Sequence, residues 1–215
     1  MLVLREGKQV TDLIYEAKKV GVMPTNKSGL DGLFAAVGLV LTLKKSGKEA
    51  KLIFPYGRPQ ELSEFVSDKD FAKVKGAKDL VVNIKYGDTE IEKINYFVEG
   101  DVCKIVVHPI AKDFDLSRVT FEKTGFDFDL VISLGAQKLE DHDEVVKEFG
   151  EDLKKIAVIN VDNASNNENF GTLNVVEPES PNLCQLILQK LLSWHYKIDP
   201  QTAKALLSGL SSNGN

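Results

Sequence analysis

The chain has 215 residues, 43% hydrophobic and 27% charged, with 27 Lys and Arg against 32 Asp and Glu for a net charge of −5. These values fit a globular chain with a sizeable core and exclude a disordered or collagen-like one. The mild acidity argues against duplex nucleic acid, whose binding rests on neutralising phosphates, and leaves small nucleotides and short single strands open. Val10, Leu13, Ile14, Ala17 and Val20 recur at helical spacing and predict a first helix from about Val10 to Lys19, stopped by Gly21. Val20 to Pro24 reads as a short strand, and Thr25 to Gly29 as a polar loop. The next helix, about Leu30 to Lys45, is apolar nearly all round and so packs on most faces. Ala50 to Pro55 reads as a strand and completes the strand–helix–strand unit of a parallel sheet.

The middle of the chain changes character. Segments 80–84, 94–98, 102–107 and 119–121 are β-rich, with a hairpin turn at Glu99-Gly100-Asp101, and predict antiparallel strands inserted over about residues 79–124. The α/β rhythm then returns. It has a buried strand at Asp129–Leu134, an acidic amphipathic helix from Lys138 to Phe149 and a strand from Ile156 to Val161. A helix from Leu183 to Trp194 follows, and a last one from about Pro200 to Leu210 has Asp199 as N-cap. The fold class expected is α/β, a mostly parallel sheet flanked by helices with an antiparallel β insertion.

Cys103 and Cys184 have neither a disulfide framework nor zinc spacing, and read as small buried hydrophobes in a reducing compartment. The uncharged run Gly32–Leu43 is far shorter than the ~18–20 residues of a membrane helix, and Met1 to Glu6 lacks the pattern of a secretory leader. A cytoplasmic chain with no membrane partner is expected. His108, His142 and His195 do not cluster, and His142 is expected on a solvated helix face among Glu140, Asp141, Asp143 and Glu144. Lys44, Lys45, Lys48 and Lys51 read as a solvated basic face. Tyr96, Phe97 and Phe121 read as a small core of the insertion.

Ligands of open parallel sheets gather at the carboxyl ends of the strands. Three such ends matter: the loop Thr25–Asp31, the segment Leu134-Gly135-Ala136, and Val161 to Asn167. Asp31 is either a residual metal ligand or the N-terminal acid of a helix, favoured there by the helix dipole. Asp162 and Asn163 are either a ligand-binding remnant or strand-end turn formers. Asn163 offers donors and acceptors, Asn167 belongs to an Asn-rich loop, and Asn26 and Ser28 open a helix whose N–H groups would suit a phosphate.

Several of these segments together resemble the DHH phosphoesterases. Asp31-Gly32-Leu33-Phe34-Ala35-Ala36-Val37-Gly38-Leu39, followed by Lys48 to Pro55, is similar to that family's first motif region. Val158 to Asn167, followed by Phe170-Gly171-Thr172-Leu173-Asn174, is similar to the segment around its Asp-His-His signature, with Asn167 on a recurrent Asn. Ile198 to Leu210 resembles its next helix. The resemblance implies a single domain over 1–215 with the β insertion and without the family's smaller C-terminal domain. It further implies metal-dependent phosphodiester hydrolysis, usually with two manganese ions. The ligand set departs from the family pattern. Asp31 stands at one first-motif position, Gly29 at another and Gly135 where the second motif has Asp. The signature reads Asp162-Asn163-Ala164, and Asn213 aligns with the fourth motif. Two acidic ligands remain and no imidazole.

The leading expectation is therefore a degenerate phosphoesterase-like domain, without a cofactor, that binds a nucleotide or phosphorylated small molecule or serves in protein interaction. Asn163, Asn167, Asn26 and Ser28 are its candidate binding residues. One alternative is an active phosphodiesterase using manganese or magnesium at a non-standard site built on Asp31 and Asp162. Another is a structural module that forms a homo-oligomer or docks a partner through the inserted strands.

Overall fold

The computed structural model describes residues 6–74, 80–87, 90–123 and 126–212. In chain order the elements are α1 (Glu6–Glu16), β1 (Lys19–Pro24), α2 (Gly29–Lys45) and β2 (Glu49–Leu52). Then come β3 (Leu80–Ile84), β4 (Ile91–Glu99), β5 (Val102–Pro109) and β6 (Val119–Lys123). The chain finishes with β7 (Leu130–Leu134), α3 (Asp143–Leu153), β8 (Ala157–Asp162), β9 (Leu173–Val176), α4 (Leu183–Ser193) and α5 (Pro200–Ser212). Two compact units result, Met1–Ala77 with Gly125–Asn215, and Lys78–Thr124.

The first unit is built on a five-stranded sheet in the order β2-β1-β7-β8-β9, with every neighbouring pair parallel. Parallel strands are covered on both faces, which explains the continuous apolar runs. Side-chain alternation assigns the faces. Val20, Val22, Leu130, Ile132, Leu134, Ile159 and Val161 join the main core with residues of α1, α2, α4 and α5. Met23, Val131 and Val158 point the other way, onto Val145, Phe149 and Leu153 of α3. The α/β class is thus a three-layer arrangement. α2 is buried from Asp31 to Leu43, as its all-round apolar sequence requires, and packs on α4 and α5.

Several boundaries shift for identifiable reasons. α1 ends at Glu16, because the N–H groups of Lys18 and Lys19 turn to the Asp129 carboxylate at 2.8 Å each and start β1. The acidic helix expected from Lys138 is broken: a 3-10 turn covers Leu139–His142, and Asp143, at φ +23°, redirects the chain into α3. His142 is consequently buried, 4% exposed, and not on a solvated face. β9 has no counterpart among the expected strands, since four residues give no periodic signal. Asn182 caps α4 by accepting from Gln185 N–H at 2.8 Å, and Asp199 caps α5 by accepting from Gln201 N–H at 2.9 Å. Three of the four lysines read as a solvated face tie elements together. Lys44 pairs with Asp70, Lys45 with Asp199, and Lys48 donates to the carbonyls of Tyr15 and Ala17.

The second unit holds two antiparallel pairs, β3 with β6 and β4 with β5. Its expected small core is not formed around the named aromatics: Tyr96, Phe97 and Phe121 are 75%, 51% and 69% exposed. A two-stranded ribbon has no second layer against which to hide a face. For the same reason Cys103 on β5 is exposed, whereas Cys184 on α4 is buried. Among the described residues, no helix is long and apolar enough to cross a membrane. Asn213 lies outside the described residues.

Candidate functional site

Strand register brings the three candidate loops together. Pro24 lies beside Leu134, and Leu134 beside Val161. The loops therefore leave the sheet side by side, at the point where strand order reverses between β1 and β7. In sheets of this kind ligands gather at such a reversal.

Here the loops hold one another. Thr25 N–H donates to the Leu134 carbonyl at 3.1 Å, and Gly135 N–H to that of Val161 at 3.0 Å. Thr25 Oγ1 donates to the Gly135 carbonyl at 2.9 Å, and Ser28 Oγ to that of Thr25 at 2.7 Å. The Ser28 side chain fills the space between α2 and the β7 loop. A Cβ built on Gly32 would lie 1.8 Å from Ser28 Oγ, and one on Gly135 would lie 2.8 Å from Ser28 Cβ. Gly135 also has φ +67°, a conformation strained for any other residue. Asn26 and Lys27 stand exposed on the rim, and Lys27 Nζ pairs with Asp141 at 2.6 Å. Burial raises the pKa of the Asp141 carboxyl. The Lys27 ammonium and the N–H groups of Lys138 and Gln137 more than offset this and hold it below the usual carboxylate range.

The two candidate metal-ligand aspartates do not share a cluster of donors. Asp31 accepts Leu183 N–H at 2.7 Å through one oxygen and Cys184 N–H at 3.0 Å through the other. It thereby caps the start of α4 from within α2. Asp162 accepts the N–H of Asn163 at 2.9 Å on Oδ1 and the amide of Asn167 at 2.8 Å on Oδ2. Asn163 donates to the Ser180 carbonyl at 3.0 Å, and Asn167 also donates to that of Ala136 at 2.8 Å. Asn163 and Asn167 thus pin the loop after β8 to its neighbours.

One feature beneath these loops escaped sequence reasoning. Ser133, Asn160 and Asn174 are register partners on β7, β8 and β9, forming a polar row just inside the carboxyl edge on the α3 face. Ser133 Oγ lies 2.7 Å from His142 Nε2, and the Asn160 amide donates to Asn167 at 2.8 Å. Ser133 and Asn160 are fully buried. Burial pushes the His142 imidazole down to about 3 against the opposing charge of Asp141, so the ring is neutral. The available signal was a Ser and an Asn in the middle of otherwise apolar strands.

A pair of divalent ions needs several carboxylate or imidazole ligands around a shared space. Among the described residues, no group of three or more His, Cys, Asp or Glu side chains stands together to hold an ion. The described residues do not form such a centre. No family model matches the sequence, and no curated protein matches it. The fold is similar to that of an exopolyphosphatase-related protein from Bacteroides fragilis, at a TM-score of 0.60 and 14% identity. That alignment covers 97% of this chain and 49% of the other, so the chain spans about half the length of its structural neighbour. At this identity the likeness is one of fold alone.

Proposed function

We propose that this domain keeps a phosphoesterase-like scaffold without hydrolysing phosphodiesters, and acts by binding a nucleotide or another phosphorylated small molecule at the rim of the strand-end loops. The observation that carries the reading is the isolation of Asp31 and Asp162: among the described residues no group of three or more His, Cys, Asp or Glu stands together, and both oxygens of each of these carboxylates accept hydrogen bonds from the protein itself. Metal-assisted hydrolysis requires an ion that lowers the pKa of a bound water and neutralises phosphoryl charge. The donor set left here does not supply a place for it.

Support for an anionic ligand comes from the rim. The Lys27 side chain is 67% exposed despite its pairing with Asp141. Its carboxylate partner is 5% exposed and is also held by the N–H groups of Gln137 and Lys138, so the solvent-facing hydrogens of the ammonium are available to a phosphate. Asn26, next to it in the chain and exposed, offers a neutral donor, and Asn163 offers the amide hydrogen not given to Ser180. The expected test uses bis-p-nitrophenyl phosphate with manganese, comparing wild type with Asp162→Ala prepared identically. Both should give the same background rate. AMP or pyrophosphate should raise the melting midpoint of the wild type but not of Lys27→Gln. Turnover lost in Asp162→Ala would instead establish an active phosphodiesterase with a non-standard manganese or magnesium site. No response to either ligand would reject the binding role.

A further inference from the structure

The β4–β5 hairpin has two unlike faces. Register pairs Ile94 with Val107, Tyr96 with Ile105 and Val98 with Cys103, and side-chain alternation sets all six on one face. The other face pairs Lys93 with His108, Asn95 with Val106 and Phe97 with Lys104. There Lys104 pairs with Glu99 at 2.5 Å, and the Asn95 amide meets His108 Nε2 at 3.1 Å. That second face mixes these polar and charged side chains with the exposed apolar Phe97, Val102 and Val106. The first has no charge.

Its exposure is large. Ile94, Tyr96, Val98 and Ile105 are 60%, 75%, 68% and 55% exposed. Side chains of these sizes leave about 500 Å² open, the upper range of apolar patches that monomers tolerate. An isolated two-stranded hairpin is also marginally stable unless its apolar face is covered.

We infer that this face is covered by the same face of a second copy of the chain, in a two-fold symmetric dimer. Area and chemistry together select this occupant. Two such patches closing on one another remove roughly 1,000 Å², the lower bound for a specific interface. The patch has no charge by which to select a foreign partner, whereas a two-fold axis makes one uncharged apolar surface complementary to itself. An interface of this size implies a weak dimer, with dissociation in the micromolar range.

Cys103 supplies a local readout, because it sits in the patch and is exposed while Cys184 is buried. The experiment is sedimentation velocity of the full chain under reductant from about 5 to 200 μM, spanning that micromolar range, with maleimide labelling at each concentration. The expected result is a concentration-dependent dimer and labelling of Cys103 that slows several-fold as the dimer forms. Ile105→Glu, and independently Ile94→Lys, should be monomeric throughout, label at the fast rate and, at a concentration where the wild type is monomeric, melt like it. A wild type that stays monomeric overturns the inference. So does a dimer that survives both substitutions, which places the interface elsewhere. Labelling that is slow at every concentration also overturns it, since the cover then comes from the same chain.

Discussion

Asp31 separates two roles that its sequence position leaves open, and replacing it by Ala tests them. In the folded chain its carboxylate accepts the first two N–H groups of α4, Leu183 at 2.7 Å and Cys184 at 3.0 Å, and it is 8% exposed. Hydrogen bonds to a charged group contribute about 1.5–3 kcal/mol each. A carboxylate at a helix N-terminus gains a further fraction from the dipole. Water entering the vacated space recovers part of the loss, so the lower end applies, about 3 kcal/mol for the two bonds. For a chain of this size that lowers the melting midpoint by about 6–12 °C. Asp31→Asn keeps one acceptor and sets an amide N–H₂ against the other donor, so its midpoint should fall between wild type and Asp31→Ala. The assay is thermal unfolding by circular dichroism at 222 nm, with urea titration to show an unchanged m-value. A carboxylate retained as a metal ligand has the opposite signature in metal-free protein: its removal is neutral or stabilising. An Asp31→Ala midpoint within a degree or two of wild type would refute the capping role.

Three further outcomes follow from the same geometry. His142 is held neutral with a folded pKa of about 3 against 6.5 unfolded, so protons favour the unfolded chain below pH 6.5. Stability should fall by about 1.4 kcal/mol per unit below that point, about 2 kcal/mol by pH 5, in urea titrations, and His142→Gln should abolish the slope. Gly135→Asp, which introduces the acid of the resembled motif, meets φ +67° and contacts of 2.7 Å to Leu183 and 2.8 Å to Ser28. It should destabilise by about 3 kcal/mol, combining left-handed strain with overpacking, and gain no hydrolysis. His195 occupies the left-handed position after α4 at φ +66°, with Tyr196 N–H returning to the Leu191 carbonyl. His195→Gly relieves that strain and should raise stability by about 0.5 kcal/mol; a loss would show that the His195 side chain has a role of its own.

What could be read from sequence was local. β1, β7, β8 and α2 announce themselves by apolar runs, because parallel strands and a central helix are covered on all sides. The antiparallel insertion is legible in its β-rich segments and the turn at Glu99-Gly100-Asp101. What was not legible depends on distant partners. Asp31 finds its role 152 positions away at Leu183. His142 lies among four carboxyl side chains in sequence, yet the turn at Asp143 sends it to Ser133 beneath the sheet edge. Tyr96 and Phe121 are aromatic enough for a core, but their ribbons lack a covering layer. Ser28 looks like a phosphate-loop residue, and its hydroxyl serves instead to close the loop on Thr25.

The most direct measurement is a thermal melt of metal-stripped protein with and without about 1 mM manganese. A site with a dissociation constant of about 10 μM would then add about 2.7 kcal/mol. The midpoint would rise by about 5–11 °C. With Asp31 and Asp162 both committed to N–H groups of the protein, the expected result is no rise, in wild type and Asp162→Ala alike. A rise of that size in wild type that disappears in Asp162→Ala would contradict a scaffold without its metal centre.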